Sequence, residues 1–295
     1  MDVSIIIVNF NTKDITQKCI ESIFQHTSDI TFEIILVDNA SSDGSVELFQ
    51  KDNRINLVKS DANLGFGRAN NLGFQYATGK YIFLLNSDTL LKNNAVKLFY
   101  DTAEKEHCKN IGCWGTMLKD KNGNIGVSYG KFPSLLHDLY IEAILLPYAT
   151  IFNKSISVTS NLYNYPTKNN IVDYISGADL FIKKEIADIY GLFSPSYFLY
   201  CEETDMQKRY NKANIYSKIL TEPDIIHLEG SSQQKNNYQR QLIMLQSKMT
   251  FFKRWNSKVS IYLYLLLLTP IKYLNFIVSQ KDKAFRKQYI KILWE

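Results

Sequence analysis

Tyr81-Ile82-Phe83-Leu84-Leu85-Asn86-Ser87-Asp88-Thr89 is an apolar run that ends abruptly on a carboxylate. A strand buried on both faces of a parallel sheet reads as such a run, and ligands of open α/β sheets collect beyond the carboxyl ends of their strands. Asp88 therefore stands where the chemistry of such folds is commonly done. An acid at this position is also an ordinary start for a turn or helix. Its meaning depends on what else reaches the same edge.

Working outward, the first hundred residues alternate strand and helix. Residues 3–10 have a β-branched core, and residues 13–25 place Ile15, Cys19, Ile20, Ile23 and Phe24 at helical spacing. Residues 32–38 form the next strand. Ser42 or Asp43 caps a short helix through Phe49, residues 55–60 form a third strand, and residues 67–77 a third helix. A helix over 93–105 follows the opening strand. Repeated βα units of this length predict a mostly parallel, Rossmann-like sheet flanked by helices.

After Cys108 the rhythm changes. Asn122-Gly123 is a hairpin signal between residues 116–118 and 125–127, which predicts a small antiparallel extension. Residues 131–170 show no clear period and read as a lid or insertion. Residues 172–183, an acidic helix beginning near Thr204, and strands at 215–220 and 224–227 complete the body. The predicted organisation is one domain over 1–235, with a nucleotide-binding half (1–105) and an acceptor-side half (106–235), followed by a helical extension over 236–295.

Composition separates that extension from the body. Hydrophobic residues at 45% and charged residues at 21% of 295 describe a globular chain. The net charge is +5, yet residues 246–295 hold ten Lys/Arg against two acids, so the body is slightly acidic and the tail basic. The body carries no basic stripe, which argues against nucleic acid as partner. Cys19, Cys108, Cys113 and Cys201 show no paired spacing, and the chain opens on a strand; both features point to a reducing cytoplasmic compartment. Residues 259–278 have the length of a membrane span, but Pro270, Lys272 and Asn275 interrupt them. Two readings fit: a segment lying on the inner membrane surface, or helices packing on the body or on a second copy as a homodimer.

Other polar loops gather at the strand ends. The first strand runs into Asn9-Phe10-Asn11-Thr12, the second into Asp38-Asn39-Ala40-Ser41-Ser42-Asp43-Gly44, and the third into Asn63-Leu64-Gly65-Phe66-Gly67-Arg68. Each alone is ordinary turn chemistry. Four successive loops loaded this way favour a nucleotide at this edge, with Arg68 and a helix N-terminus supplying positive character. The first βα turn lacks G-x-G-x-x-G and the chain lacks G-x-x-x-x-G-K-[ST], so phosphate charge must be met by Arg68 or by a metal on Asp88.

The second half supplies partners. Glu202-Glu203-Thr204-Asp205 places three carboxylates at the start of a helix that also carries Arg209. Adjacent carboxylates raise each other's proton affinity, which suits a general base, although acids at a helix N-terminus also stabilise the helix. His227 ends a short apolar strand and would complete a mixed oxygen and nitrogen metal site with Asp88, favouring Mn²⁺ over Mg²⁺.

From Val3 to about Ser232 the chain resembles family two inverting glycosyltransferases of the GT-A fold, in the rhamnosyltransferase-like branch of bacterial surface-polysaccharide synthesis. The resemblance rests on Val8-Asn9-Phe10-Asn11, Val37-Asp38-Asn39-Ala40-Ser41, Asn63-Leu64-Gly65-Phe66, Leu85-Asn86-Ser87-Asp88, Ser176-Gly177-Ala178, Glu202-Glu203-Thr204-Asp205, and His227 with Gly230 and Ser232. It implies that Asp38 binds a uracil or thymine base, with Asn9, Asn11, Asn63, Phe66 and Arg68 around the nucleotide. It places Asn86-Ser87-Asp88 at the family's D-x-D position, with Asp88 and His227 on a divalent Mn²⁺ or Mg²⁺. Gly177 and Ala178, with Asp205 and Arg209, would border the donor sugar and acceptor. Glu202-Glu203 matches the family's E-D pair, whose second member is the base; Glu203 is one methylene longer than that Asp. The implied donor is dTDP-rhamnose or a UDP-hexose, and the implied acceptor a glycan or lipid-linked hydroxyl. A catalytically silent binding or scaffold subunit is the alternative, resting on Asn86 and Glu203. A nucleotidyltransferase would want a Gly-rich loop with Arg and Lys after the first strand, which is missing.

Overall fold

In the computed structural model, residues 81–86 lie at the centre of an eight-stranded sheet. The structure describes residues 1–106, 110–145, 163–164, 170–228, 238–278 and 282–295. Its strands are β1 (Val3–Asn9), β2 (Phe32–Asp38), β3 (Asn56–Lys59), β4 (Tyr81–Asn86), β5 (Thr89–Leu91), β6 (Ile111–Thr116), β7 (Tyr129–Gly130), β8 (Ile171–Val172), β9 (Tyr174–Ile175), β10 (Asp179–Lys183), β11 (Tyr216–Leu220) and β12 (Ile225–His227). The large sheet has the order β3-β2-β1-β4-β10-β6-β11-β8. Strands β1 to β4 within it are parallel, β11 runs parallel to β6, and β10 lies antiparallel between β4 and β6. Two small antiparallel sheets, β5 with β12 and β7 with β9, complete a mostly parallel α/β fold of the kind the βα rhythm predicts.

The apolar runs become strands because both faces of the sheet are covered. Ile5, Ile7, Phe83 and Leu85 belong to one core cluster, and Ile6, Ile35, Ile82 and Leu84 to the other. Side chains alternate between faces along a strand, so a run buried on both sides must be apolar at every position. Phe181 on β10 sits among Tyr81, Phe83, Phe99 and Trp114, with ring centroids 5.1 to 6.3 Å away.

Several elements differ from the sequence reading. Residues 111–116 form a fully buried strand that the pattern did not reveal, because Gly112 and Gly115 break it. A Cβ on Gly112 would press into Ile215 and Ile186, and one on Gly115 into Ile175, so close packing demands these glycines. The expected hairpin at 116–127 reduces to a turn with Gly123 at φ 85° and a single bridge between Lys119 and Ile125. Residues 172–183 divide among β8, β9 and β10, and the helix Lys184–Tyr190 follows directly. The acidic helix starts at Glu202, two residues earlier than expected. Within the expected lid, Leu135–Tyr140 is helical and leads into a wider turn over Ile141–Leu145, while residues 146–162 and 165–169 lie outside the described residues.

The chain forms two compact units. One comprises Met1–Lys131, Tyr163–Phe198 and Glu202–Lys235; the other comprises Phe132–Leu162, Leu199–Cys201 and Asn236–Glu295. The second unit contains the helices Tyr238–Trp255, Lys258–Val278 and Lys283–Trp294. Two ion pairs hold it: a half-buried one from Lys248 Nζ to Asp138 Oδ1 at 2.7 Å, and a buried one from Lys272 Nζ to Glu142 Oε2 at 2.5 Å. Tyr264 Oη donates to Asp138 Oδ2 at 2.6 Å, so that carboxylate is satisfied twice.

Because Phe181 is sealed on all sides, Phe181→Ala leaves a cavity that rigid neighbours cannot fill. The expected loss is about 3–5 kcal/mol in urea unfolding of the purified chain. A loss below about 1 kcal/mol would show that the ring cluster repacks.

Candidate active site

The site is assembled from the carboxyl ends of β1, β2 and β4, all within the first unit. Asn9 closes β1 and pairs in register with Asp38 at the end of β2. Asn9 Nδ2 donates to Asp38 Oδ2 at 2.8 Å and to Ser41 Oγ at 2.9 Å, while Asn9 Oδ1 accepts from Thr12 and Thr16 at 2.9 and 2.8 Å. The other Asp38 oxygen accepts the Ser41 N–H at 2.9 Å. Asp38 is only 1% exposed, and these bonds fix its carboxylate in one orientation. Asn11, at φ 54°, accepts from the Ser42 N–H at 2.7 Å and joins the first loop to the second.

The third loop is tied to the second through amides. Asn39 Nδ2 donates to Asn63 Oδ1 at 3.0 Å, and Asn63 Oδ1 also accepts the Gly65 N–H at 2.9 Å. Gly65 has φ 80°, and a Cβ there would collide with the Phe198 carbonyl, to whose oxygen the Phe66 N–H donates at 3.0 Å. This contact clamps the loop that leads to Glu202. Arg68 is committed to the same loop: Nε and Nη2 donate to the Pro195 carbonyl at 2.9 and 2.7 Å.

Strand β4 then brings the first half of the site to the second. The Asn86 N–H donates to the Ala178 carbonyl at 3.0 Å. Ser87 Oγ lies 3.3 Å from Thr12 Oγ1, which links the first and fourth loops. Pairing of Thr89 with His227 across β5 and β12 sets His227 Nε2 3.2 Å from Asp88 Oδ1, and the Asp88 carbonyl accepts the Leu228 N–H at 2.8 Å. Asp88 is 5% exposed. Among the described residues no cluster of three or more His, Cys, Asp or Glu surrounds this pair, which offers one oxygen and one nitrogen donor.

Gly177 is the junction with the acidic helix. A Cβ at Gly177 would lie 3.2 Å from Phe66 Cε1 and 3.8 Å from Glu203 Cβ, so three segments far apart in sequence converge there. A Cβ at Gly67 would lie 3.4 Å from Glu202 Cβ, which seats the start of the acidic helix on the third loop. Burial pushes the Glu203 carboxyl up to about 6, against the lowering influence of backbone N–H groups in the first helical turn. Tyr200 and Cys201, directly before Glu202, have φ 72° and 66°, a costly conformation for residues with side chains. Asp205 and Arg209 face one another at 3.5 Å, and Arg209 donates to the carbonyls of Tyr190, Gly191 and Leu192. The structure therefore gives this pair internal partners that brace the 190–192 loop.

Two residues of the site were not visible in the sequence reading. Gln207 Oε1 accepts from the Ile175 N–H and Ser217 Oγ at 2.8 Å each, while Nε2 donates to the carbonyls of Ile175 and Glu203 at 2.8 and 3.1 Å. It fixes the acidic helix to the strand leading to Gly177. The sequence signal was its position four residues after Glu203 on a helix. Asp179 is fully buried beside Ala178, and its Oδ2 accepts the Thr116 N–H at 2.6 Å. Burial holds its carboxyl well above the ordinary carboxylate range. A single charge inside the apolar run 178–182 was the available clue.

Comparison with known proteins bears on the family and the fold. The model of glycosyl transferase family 2 matches residues 4–158. Glycosyltransferase GlyG of Streptococcus pneumoniae is 31% identical over 108 residues, 35% of this chain and 36% of that protein. The N-acetylglucosaminyl-diphospho-decaprenol L-rhamnosyltransferase of Mycobacterium tuberculosis is 23% identical over 211 residues, 68% of this chain and 67% of that one. The chain spans about a third to a half of the curated relatives it matches first. A mannosyltransferase of Pyrobaculum calidifontis, solved with GDP-Man and Mn²⁺, superposes with TM-score 0.59 over 99% of this chain and 85% of its own, at 12% identity. That likeness speaks for the fold.

A carboxyl whose folded-state proton affinity is raised stabilises the fold below the ordinary Asp range and loses that contribution as pH rises toward its folded value. Asp179→Asn removes the dependence. Its melting temperature relative to the unsubstituted chain is expected to climb as pH rises above the ordinary Asp range of about 4. A difference that stays flat or falls would mean that Asp179 is not held protonated.

Proposed function

The chain belongs to glycosyl transferase family 2, and on that premise we propose that it moves a sugar, with inversion, from a nucleotide-diphosphate donor to a hydroxyl of a glycan or lipid-linked acceptor in bacterial cell-surface polysaccharide synthesis. The observation that carries this reading is the convergence at Gly177: the ordered nucleotide edge of Asn9, Asp38 and Asn86 meets a carboxylate, Glu203, whose raised proton affinity suits a base. A donor of the dTDP-rhamnose or UDP-hexose type fits an edge where Asp38 accepts from the N3–H of a uracil or thymine and Phe66 and Asn63 flank the base. The mycobacterial relative, a rhamnosyltransferase by name, supports the rhamnosyl form of this reading. Synthesis would take place in the cytoplasm.

The roles follow from position. Glu203 takes the proton of the acceptor hydroxyl as its oxygen attacks the anomeric carbon from the face opposite the diphosphate, and the bond to the diphosphate breaks. Glu202, buried against the third loop, orients the helix start. Gly177 leaves room for sugar and acceptor, since a larger side chain there would meet Phe66 and Glu203, whereas Ala178 is packed in the core and serves through its carbonyl, which holds Asn86. Asp88 and His227, an oxygen and a nitrogen donor 3.2 Å apart, fit a divalent cation such as Mn²⁺ or Mg²⁺ and would hold it. Such an ion supplies positive charge to the leaving diphosphate. Asn86 and Ser87 set the Asp88 turn through backbone and hydroxyl contacts.

Glu203→Gln is expected to bind the donor in calorimetry while transfer or donor hydrolysis falls by about 100-fold or more. In the unsubstituted chain the rate should rise with pH through about 6 and level off above, because the base form is the active one. Full transfer by Glu203→Gln would move the base to Glu202 or Asp205. Asp88→Ala is expected to abolish the gain in donor affinity that Mn²⁺ confers, with folding unchanged by circular dichroism. An intact chain that binds no donor from a panel of sugar nucleotides with Mn²⁺ would instead identify a silent scaffold subunit.

A further inference from the structure

The helix Lys258–Val278 is two-faced. Ile261, Tyr264, Leu265, Leu268, Lys272 and Phe276 are buried within the second unit. The opposite face presents Val259, Tyr262, Leu263, Leu266, Leu267 and Leu274 to solvent; Val259, Leu267 and Leu274 are 68%, 59% and 64% exposed. The spacing of three and four places these residues in one stripe along the helix. Isolated exposed leucines are ordinary, but a continuous apolar stripe of this length marks an interaction surface.

What lies beside the stripe identifies its occupant. The helix Lys283–Trp294 runs back along it: Phe285 and Tyr289 meet Phe276, with ring centroids 5.9 and 5.1 Å away, and Trp294 meets Tyr262 at 6.2 Å. The Trp294 indole N–H donates to Thr269 Oγ1 at 3.1 Å, leaving a partly exposed amphipathic ring at the stripe. Lys283, Lys287 and Lys291, spaced by four, are exposed on this second helix, and Lys253 and Lys258 are exposed where the first begins. An apolar strip edged by lysines and carrying Trp and Tyr matches the boundary between anionic headgroups and acyl chains. A second copy would bring another apolar stripe that carries no Asp or Glu to these lysines, whereas anionic headgroups supply the complementary charge. Crossing the bilayer is equally disfavoured. Lys258–Phe276 is long and apolar enough to span, but its buried face is bound through Lys272 to Glu142 and through Tyr264 to Asp138, and these polar partners would enter hydrocarbon with it.

We propose that the exposed stripe of Lys258–Val278, with the lysines of Lys283–Trp294, docks the protein flat on an anionic lipid surface. The test is sedimentation of the full chain with vesicles of phosphatidylglycerol and phosphatidylcholine, or of phosphatidylcholine alone, at two salt concentrations. Binding to the anionic vesicles is expected to exceed binding to the neutral ones by about tenfold or more and to weaken with salt. Leu263→Glu with Leu267→Glu should lower it by about 100-fold, and Lys283→Glu with Lys287→Glu should remove the salt dependence. Circular dichroism and donor hydrolysis should be unchanged in both. The proposal is overturned by no sedimentation of the full chain, by undiminished binding of the leucine variant, or by a dimer in light scattering that the leucine variant converts to monomer. Bound chain that resists extraction by high salt and alkaline carbonate also overturns it, since that marks a spanning helix. Vesicle binding needs no catalysis, so this outcome is independent of the assigned activity.

Discussion

Insertion of β10 antiparallel between β4 and β6 is the constraint on which the site depends. The first hundred residues alone build a parallel edge with Asn9, Asp38 and Asn86 at its rim. Only when β10 pairs with β4 does the Asn86 N–H reach the Ala178 carbonyl and bring Gly177 to that rim. Gly177 then admits Phe66 from one side and Glu203 from the other. Phe181, on the same strand, packs into the aromatic cluster that covers β4, so the register that sets the site is also the one that fills the core. A slip of one residue would turn Phe181 away from its ring partners and drive it into the opposite core, where Leu180 and Ile182 already pack.

Around that junction the protein invests polar contacts in rigidity. Asp38 is held by Asn9 and Ser41, Asn63 by Asn39, and the start of the acidic helix by Gln207 and by the clamp of Gly65 on Phe198. Each is a buried or half-buried polar group whose bonds select one rotamer. The left-handed backbone at Tyr200 and Cys201 is the opposite case, a local cost borne where the chain enters the acidic helix.

The elements legible in the sequence were those whose signal is local. An unbroken apolar run such as 81–85, or helical spacing such as that of Cys19, Ile20 and Ile23, reports its own burial, and the loops rich in Asn, Asp and Gly report the strand ends. The strand at 111–116 was hidden because two of its positions must be glycine to let Ile215 and Ile175 approach, a tertiary demand that erases the local pattern. Asp88 and His227 could be considered together because each stands at the end of a strand, and their side chains lie 3.2 Å apart. Gln207 and Asp179 were missed because their roles exist only through partners more than ten residues away in β9 and β6. Arg68, Asp205 and Arg209 have side chains suited to a ligand, and the fold binds them to carbonyls and to each other.

If the nucleotide edge and Asp88 act on one donor, anomalous diffraction at the manganese edge from crystals grown with Mn²⁺ and a nucleoside diphosphate should show it. One anomalous peak is expected in coordination contact with the Asp88 carboxylate and the His227 imidazole, with the base against Asp38 and the diphosphate between them. A nucleotide bound elsewhere, or a metal peak that touches neither Asp88 nor His227, would contradict it.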